Sequence, residues 1–600
     1  MPQQIRRSQF IFTYGPGAIL EGRAGPRVIL TPDIGLFHEG SSIAPGSYEI
    51  YDQRMSQGLL NVARIFRLPS NAELTIPEDR PVYRTNPFPY WQLCINSSSH
   101  KGNFYVLYQG SRCPVCGDAS RGRRQAIRFI KACPAGHMDE VDWYVLAHGD
   151  GASCQHTKWF RWYDGGGSLS NIRIECPVCG SKRISLGEAY RKDWTCMGRF
   201  PERELPGTAP YRPECNMKAK IIQRQASNLR IPELLTLFSI PPRHTRLHGL
   251  LQISSIQDAI IASQPASKEQ LEQVLGRLAK AGRISQATTS EILQLPWEEI
   301  KNAIDDVCSP VQGSYRDLII QEFNAMIDGS LKGIPPARGP RPRSPVQIEI
   351  DPNHVKKFTG SNGTVIRVAP VSKLRTVTVQ VGYRREVDTS VIAKTVDVSF
   401  LDTLDRQQKW YPGVEFFGEG IFIVLDENDG LVAGLKGRAS NSWINAYQNQ
   451  SAYSEVRYVF RDPLNKDELH PGFVWWHTLS HLLIRAISAE SGYSSASIRE
   501  RIYLEDVSRF RGGILLYATQ PGSEGTLGGL IALIPHFQRI LQIAIQNAQI
   551  CSGDPLCKQH EFHDGQYNGA ACYSCLLLSE TSCEHRNMWL DRNVLLEALP

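Results

Sequence analysis

The sequence has no uninterrupted apolar segment that could cross a membrane, since a spanning helix needs about 20 mainly apolar residues. Its N-terminus carries Arg6 and Arg7 but has no apolar core and no small-residue cleavage site, so it does not resemble a signal peptide. We therefore predict that the protein stays in the cytoplasm, where thiols remain reduced.

The common sequence motifs of catalysis are also missing. No GxxxxGK[ST] phosphate loop and no GxSxG nucleophile elbow occur, and no cluster of carboxylates suggests a nuclease. His477 and His481 have the spacing of metalloprotease histidines, but Thr478 stands where that motif has its general base. We interpret the two histidines as helix and core residues, and predict that the protein is not an enzyme.

Charge and composition indicate a folded protein with several domains but do not specify its fold class. The net charge of +6 is small for 600 residues. A composition of 42% hydrophobic and 21% charged residues is typical of a folded, soluble chain. Because one hydrophobic core rarely serves more than about 250–300 residues, several domains are expected.

The cysteines are clustered. Of fifteen, nine lie between Cys94 and Cys215 and five between Cys551 and Cys583, and only Cys308 lies between these groups. In a reducing compartment such clusters more often bind metal than form disulfides. We predict two to three structural zinc ions, because closed four-ligand sites are structural and nothing in the sequence requires an open catalytic site.

Two zinc-knuckle turns of the form CPVCG organise the first cluster. Their paired thiolates reach one ion, and the glycine permits the tight turn. The preferred grouping joins Cys113 and Cys116 with Cys133 and His137, and joins Cys176 and Cys179 with Cys196 and Cys215. Cys94, His148 and Cys154 are competing ligands. In one alternative, Cys133, His137, His148 and Cys154 form a separate site and the first knuckle uses Cys94.

The second cluster offers five thiolates for four positions. We predict that the ligands are Cys557, Cys572, Cys575 and Cys583, with Cys551 as the spare, although Cys551 could replace Cys557.

Basic residues gather in two places. The first cluster lies between the first zinc ligands and contains Arg121, Arg123, Arg124, Arg128 and Lys131. The second follows a predicted strand and contains Arg384 and Arg385. These seven are our candidates for nucleic-acid contacts, since phosphate binding needs Lys and Arg. The alternative is that each cluster is an ordinary solvated surface.

The expected fold class is a multidomain α+β or α/β protein with zinc-ribbon-type modules. The predicted divisions are a β-rich segment (1–93), zinc-binding modules (94–221), a helical block (222–334), a linker (335–345), a second β-rich segment (346–470) and an α/β domain with a further zinc site (471–600). Ser267-Lys-Glu-Gln270 has the form of a capping box at the start of a helix.

The C-terminal residues resemble an MrfA-like zinc-binding domain, which also occurs in certain superfamily 2 DNA-repair helicases. The motifs are His477-x3-His481, Ser491-Gly-Tyr-Ser494, Arg499-Glu-Arg-Ile-Tyr503, Gly525-Thr-Leu-Gly-Gly529, Asn568-Gly-Ala-Ala-Cys572-Tyr-Ser-Cys575, Glu580-Thr-Ser-Cys583-Glu584, Asn587 and Leu590-Asp-Arg592.

Upstream motifs resemble the DrmB family of the DISARM anti-phage system over nearly the whole chain. They are Arg7-Ser-Gln9, Tyr14-Gly-Pro-Gly17, Arg128-Phe129, Cys133-Pro-Ala-Gly-His137 with Asp139 and Trp143, Ala226-Ser-Asn228 and Gly418-Glu-Gly-Ile-Phe422. One departure is Ile95-Asn-Ser97, where a second cysteine is expected after Cys94, and this weighs against a zinc site there.

The resemblance implies a bacterial subunit without a motor of its own. It would pair with a helicase-like subunit, DrmA, bind DNA with single-stranded character and support ATP-driven action against phage DNA. The alternatives are a pure protein scaffold and a metal-dependent nuclease or hydrolase.

Overall fold

The computed structural model describes most of the chain. The described residues are 4–22, 25–37, 43, 45–149, 152–181, 184–205, 212–240, 246–251, 253–308, 314–334, 348–360, 363–388, 391–401, 409–427, 431, 434–448, 470–506, 511–521, 529–563 and 566–600. The predicted linker 335–345 and most of the glycine-rich stretch 522–529 lie outside these ranges.

The strands are short except in the middle of the chain. They are β1 (Ile19–Gly22), β2 (Gly25–Ile29), β3 (Glu49–Ile50), β4 (Arg64–Phe66), β5 (Thr85–Pro87), β6 (Gln92–Cys94), β7 (Tyr105–Tyr108), β8 (Arg124–Ala126), β9 (Phe129–Ala132), β10 (Met138–Glu140), β11 (Trp159–Tyr163), β12 (Arg173–Glu175), β13 (Trp194–Thr195), β14 (Lys218–Gln223), β15 (Ile231–Phe238), β16 (Ile348–Glu349), β17 (Lys356–Thr359), β18 (Val365–Arg384), β19 (Val396–Asp397), β20 (Phe400–Leu401), β21 (Lys409–Glu427), β22 (Arg499–Asp506) and β23 (Arg511–Pro521).

Most α-helices lie between residues 246 and 332 or after residue 438. They are α1 (Arg7–Phe12), α2 (Pro32–Gly35), α3 (Gln53–Leu59), α4 (Trp143–His148), α5 (Leu186–Arg191), α6 (Arg246–Leu251), α7 (Ser254–Ser263), α8 (Lys268–Lys280), α9 (Gln286–Leu293), α10 (Trp297–Cys308), α11 (Tyr315–Lys332), α12 (Arg438–Gln448), α13 (Pro471–Ser491), α14 (Phe537–Gln549), α15 (Leu556–Gln559) and α16 (Arg592–Glu597). Among the described residues, no helix combines the length and the apolar character needed to span a bilayer.

The chain forms two compact units. Unit 1 contains residues 1–50, 63–235 and 378–414, and unit 2 contains residues 51–62, 236–377 and 415–600.

Unit 1 is built on small antiparallel sheets, ordered β1-β2-β5, β10-β9-β14-β13 and β12-β11-β7-β6-β8. The five-stranded sheet packs one face on a core that includes Leu93, Leu107, Phe160 and Trp162. Since neighbouring residues of a strand point to opposite faces, Trp159, Arg161 and Tyr163 share the other face and are partly exposed. Because such small sheets bury little apolar surface, metal ligation can supplement their core.

Unit 2 contains strands β22 and β23 and parts of β15, β18 and β21, from a larger sheet whose principal strands are ordered β15-β18-β21-β23-β22. Strand β23 is antiparallel to both β21 and β22. Against this sheet packs helix α13, which is apolar around nearly its whole circumference and therefore buried. His470 caps the helix through the amide of Gly472, and Gly492 ends it in the left-handed conformation at φ 74°.

Helices α6 to α10 form a separate apolar cluster. Ser267 caps α8 by accepting a hydrogen bond from the amide of Gln270. The side-chain oxygen of Gln270 accepts a hydrogen bond from the amide of Ala266 and not from that of Ser267. The predicted capping box is therefore present in its first hydrogen bond, and its second comes from the preceding residue. The helices begin later than expected, because residues 218–223 and 231–238 are strands.

The expected fold class is confirmed in its α+β form. The strand pairs whose register is described are antiparallel, apart from the parallel pair β4 and β21. The helix predicted from Thr526 is shorter than expected: residues 531–536 form a 3-10 helix and α14 follows it.

Candidate metal centres

Four groups of cysteine and histidine side chains converge among the described residues. Group A contains Cys94, His100, Cys113 and Cys116; group B contains Cys133, His137, Cys196 and Cys215; group C contains His148, Cys154, Cys176 and Cys179; group D contains Cys551, Cys557, Cys572 and Cys575. Within each group the ligand atoms lie within 4.8 Å of one another. Tetrahedral zinc with bonds of about 2.0–2.3 Å requires ligand atoms roughly 3.3–3.8 Å apart. The donor sets and spacings therefore fit structural zinc.

Group A lies on the outer face of the five-stranded sheet of unit 1. The Sγ atoms of Cys94 and Cys116 are 3.8 Å apart, and Sγ of Cys113 lies 3.6 Å from Nε2 of His100. The other ring nitrogen of His100 lies 3.1 Å from the carbonyl oxygen of Phe104. Because a carbonyl only accepts, this bond leaves Nε2 free to face the group. His100 therefore takes the place of the cysteine that the sequence lacks after Cys94.

Group B lies at one end of the sheet β10-β9-β14-β13. Cys133 directly follows β9 and His137 directly precedes β10, so both sit at the turn of this hairpin. The register pairs Ala132 with Lys220, and Thr195 with Lys218, which brings Cys196 and Cys215 to the same end. The Sγ atoms of Cys133 and Cys196 are 3.5 Å apart, and Nδ1 of His137 lies 3.3 Å from Sγ of Cys133.

Group C combines the second knuckle with the end of helix α4, where His148 is the last residue. The Sγ atoms of Cys154 and Cys176 are 3.8 Å apart. Nδ1 of His148 lies 3.1 Å from the carbonyl oxygen of Tyr144, and the hydroxyl of Tyr144 donates to the carbonyl of Cys154 at 2.6 Å. Tyr144 thus fixes two of the four ligands.

Both knuckle turns have the expected backbone. Gly117 and Gly180 each have φ of 69°, a conformation that favours glycine. Their amides donate to the carbonyl oxygens of Cys113 and Cys176, which closes each turn.

Group D consists of four cysteines in unit 2. The Sγ–Sγ distances are 3.4 Å for Cys551 and Cys572, 3.7 Å for Cys572 and Cys575, and 3.8 Å for Cys557 and Cys575. Buried Arg592 donates to Sγ of Cys557 at 3.6 Å and to Asp554 at 2.7 Å. Four thiolates and one Zn²⁺ carry a charge of −2, so the guanidinium offsets part of the excess negative charge.

The thiol pKa values differ within the groups. Hydrogen bonds from Ser181 lower the pKa of Cys179 to about 6. Burial raises the pKa of Cys94 to about 12. Since the thiolate is the form that binds zinc, metal binding at a buried ligand releases a proton and weakens as the pH falls.

The preferred grouping of the N-terminal ligands is wrong in the structure, although the alternative that joins Cys94 to the first knuckle agrees with it. Cys113 and Cys116 converge with Cys94 and His100, not with Cys133 and His137. Cys176 and Cys179 converge with His148 and Cys154, while Cys196 and Cys215 join Cys133 and His137. The physical reason is strand register, which brings together residues distant in sequence. His100 was missed, although it stands six residues after Cys94 and just before the first knuckle.

The predicted spare cysteine is also wrong. Cys551 follows helix α14 and faces Cys572, so it belongs to group D. Cys583 lies elsewhere, with its Sγ 3.2 Å from Nε2 of His477. His477 and His481 are helical and fully buried, as expected, but they face Glu500 and Cys583 rather than only apolar neighbours.

Three of the seven candidate DNA-contacting residues are buried and cannot reach a phosphate in this structure. Arg385 is 0% exposed and donates to the carbonyl oxygens of Gly17, Gly136 and Leu229. Arg384 is paired with Glu233 and Glu386. Lys131 is buried within β9.

The other four basic candidates are accessible. Arg121, Arg123 and Arg128 are exposed and Arg124 is half-buried, in or beside the 3-10 turn and strand β8 that follow the first knuckle. Arg123 lies 3.7 Å from Asp118, and Arg124 donates to the carbonyl oxygen of Ser111.

The comparisons with known proteins agree with this layout. A family model described as a domain of unknown function (DUF8724) matches residues 6–231, which contain groups A, B and C. The MrfA Zn-binding domain matches residues 479–576, which contain group D.

One curated relative is the DISARM protein DrmB of Bacillus paralicheniformis, 28% identical over 542 residues, or 86% of this chain and 89% of the relative. A crystal structure of the DUF1998 helicase MrfA bound to DNA is 13% identical, with a TM-score of 0.19. That match covers 39% of this chain and 22% of the helicase. The predicted resemblance is thus confirmed: the chain is similar to the DISARM protein DrmB over most of its length, and its residues 479–576 match the MrfA Zn-binding domain.

Proposed function

We propose that this chain is the non-catalytic, zinc-stabilised subunit of a bacterial DISARM assembly, and that it pairs with a helicase-like DrmA subunit. In that assembly it helps to bind DNA with single-stranded character and supports the partner's ATP-driven action against phage DNA. The observation that carries the proposal is the homology to DrmB over 86% of the chain.

A surface of unit 1 supports the DNA-binding part of the proposal. The register places Arg161, Val106, Cys94 and Arg124 in one row across the five-stranded sheet, so both arginines share the face that holds group A. Arg161 is stacked over Phe104 at 5.4 Å. Trp159 and Tyr163 are partly exposed on the same face.

A sheet face that combines arginines with partly exposed aromatic rings suits single-stranded nucleic acid. The guanidinium groups contact phosphates, and bases stack on the rings without requiring a particular sequence. We define this DNA-facing surface as Trp159, Arg161 and Tyr163 together with Arg121, Arg123, Arg124 and Arg128.

The chemistry of groups A to D supports a structural role for the metal. Each group supplies four cysteine or histidine donors, which fills a tetrahedral zinc and leaves no position for a reactive water. The proposed location is the cytoplasm, because thiolate ligation of this kind requires reduced cysteines.

The test measures DNA binding and ATP hydrolysis by this chain, by the DrmA-like partner and by the two together. We expect no hydrolysis by this chain, and tighter DNA binding with faster hydrolysis by the pair than by the partner. ATP turnover or metal-dependent DNA cleavage by highly pure chain would instead identify a hydrolase or nuclease.

A charge-matched pair of variants tests the surface. One variant replaces Arg121, Arg123, Arg124 and Arg128 with alanine; the control replaces Arg277, Lys280, Arg283 and Lys301, which are exposed in the helical block of unit 2. If all four arginines contact single-stranded phosphates, the slope of log K against log[salt] becomes shallower by about 3, at about 0.7 per contact. The control keeps the parent slope.

Equal salt slopes for the two variants would refute this surface. If the parent chain binds no DNA and leaves the partner's activity unchanged, the chain is a protein scaffold. If the arginine variant keeps the parent's salt slope but the chain still stimulates its partner, the pairing with the partner is supported. The DNA contacts then lie on a different surface.

A further inference from the structure

A fifth group of metal-binding side chains lies in unit 2, and we call it group E. It contains His477, His481, Glu500 and Cys583, whose ligand atoms lie within 4.8 Å of one another. The two histidines are one turn apart on α13, Glu500 is the second residue of β22, and Cys583 lies between group D and α16. Three separate segments therefore meet at one point.

The distances fit a single ion. Nε2 of His477 lies 3.0 Å from Oε1 of Glu500 and 3.2 Å from Sγ of Cys583. Nε2 of His481 lies 3.3 Å from the same carboxylate oxygen. These separations are close to those of donors around tetrahedral zinc, whose bonds are about 2.0–2.3 Å.

Burial of the carboxylate favours a cation at this point. His477, His481 and Glu500 are 0% exposed, and Cys583 is 6% exposed. Among the described residues, the ion pairs of Glu500 are those with the two imidazoles. A buried carboxylate is costly unless a proton neutralises it or a positive charge compensates it, and a metal ion would supply that charge here.

The orientation of the donors favours the metal. Nδ1 of His481 lies 2.9 Å from the carbonyl oxygen of Leu576, so this nitrogen carries a proton and Nε2 presents its lone pair to the group. A metal-ligating histidine is normally oriented in this way by its second nitrogen. Without a metal, the contact between Nε2 and Glu500 requires a proton between them, which either charges the ring in a dry interior or neutralises the carboxylate.

Two backbone amides point at the sulfur of Cys583. The backbone amides of His585 and Asn587 both donate to its Sγ at 3.3 Å. The other carboxylate oxygen of Glu500 accepts a hydrogen bond from the hydroxyl of Ser480, which fixes the carboxylate. One carboxylate, one thiolate and two neutral imidazoles balance the charge of a single divalent cation.

We propose that group E is a fifth structural zinc site, of mixed His₂-Glu-Cys type. His477 and Cys583 lie outside the segment 479–576 that matches the MrfA Zn-binding domain, so the site joins that domain to the residues on either side of it. With four buried protein ligands, the site is closed and holds no reactive water.

A matched pair of histidine variants tests the proposal. His477→Phe removes a ligand, whereas His585→Phe makes the same change in a buried ring 5.1 Å from that of His477 but outside the ligand set. We expect plasma mass spectrometry of the full-length protein to show one zinc ion fewer per chain in His477→Phe and no loss in His585→Phe. A folded His477→Phe variant that keeps the parent's zinc content would overturn the proposal.

A measurement on the parent protein covers the case in which His477→Phe fails to fold. Anomalous scattering at the zinc edge should give a peak about 2.0–2.3 Å from Nε2 of His477 and His481, Oε1 of Glu500 and Sγ of Cys583. If peaks appear at groups A to D and none at group E, then group E is a hydrogen-bonded core and not a metal site.

Discussion

The buried charge network on strand β22 allows the effect of one substitution to be worked out. Arg501 is 1% exposed and its Nη1 donates to Oε2 of Glu322 at 2.8 Å, while its Nε donates to Glu584 at 2.8 Å. Arg54 lies 3.6 Å from the other oxygen of Glu322. Two arginines and two glutamates therefore balance in charge within unit 2.

Glu322→Gln removes one of these charges and leaves the shape unchanged. At 2.8 Å and an effective dielectric constant of about 20, the lost attraction to Arg501 is about 6 kcal/mol. Oε1 and Oε2 of Glu322 accept bonds from the amide of Phe238 and from Arg501, so the amide nitrogen of the new Gln must face one of these donors. After allowing for the relieved desolvation of Glu322, we expect a net loss of about 3–5 kcal/mol.

Urea unfolding of the zinc-loaded chain, followed by tryptophan fluorescence, measures this loss. The matched control is Glu349→Gln, which removes a partly exposed partner of Lys373 at 3.4 Å and should cost less than about 1 kcal/mol. Equal midpoints for Glu322→Gln and Glu349→Gln would refute the reasoning.

Three further substitutions test other parts of the structure. Cys551→Ser should release one zinc ion per chain to a chelator, because Cys551 belongs to group D; full retention would restore it as the spare cysteine. Arg385→Lys should lower the thermal midpoint, because lysine cannot reach all three carbonyl oxygens, while the folded variant keeps its DNA affinity; a selective loss of DNA binding would contradict its structural role. Burial raises the pKa of Glu140 to about 7, so the folded state binds a proton that the unfolded state has lost between pH 4.5 and 7. The stability of Glu140→Gln relative to the parent should therefore rise by about 3 kcal/mol across that window and level off above it, as urea titrations at several pH values will show; a pH-independent difference would contradict the shifted pKa.

Local patterns in the sequence were sufficient to predict individual turns, helix caps and helices, but not which ligands share a metal site. The knuckle turns with Gly117 and Gly180, the cap at Ser267 and the apolar helix around Leu482 all depend on residues within a few positions of one another. Zinc as cofactor followed from the same local signals, since CxxC spacing nearly fixes two of four ligands.

The grouping of ligands depends on register, which sequence spacing does not encode. Cys196 reaches Cys133 only because Thr195 pairs with Lys218 in the neighbouring strand. His100 carries no motif of its own, and the sequence shows only that it precedes a knuckle.

Burial of basic residues was likewise invisible in the sequence. Arg384 and Arg385 follow a predicted strand in the same way as exposed arginines would. Only the structure places Arg385 among the carbonyl oxygens of three separate segments. Two of those oxygens belong to Gly17 and Gly136, within motifs that carried the family resemblance.

The ligand sets are nested along the chain, and this constrains the order in which they assemble. All of group C, residues 148–179, lies inside the loop that group B closes between residues 133 and 215. Group D, residues 551–575, lies in the same way inside the span of group E, from 477 to 583. Because the entropy lost on closing a loop grows with its length, an inner ion that is already bound shortens the free chain that the outer ion must close. In each half of the protein we therefore expect the inner ion to bind first and the outer ion to bind second.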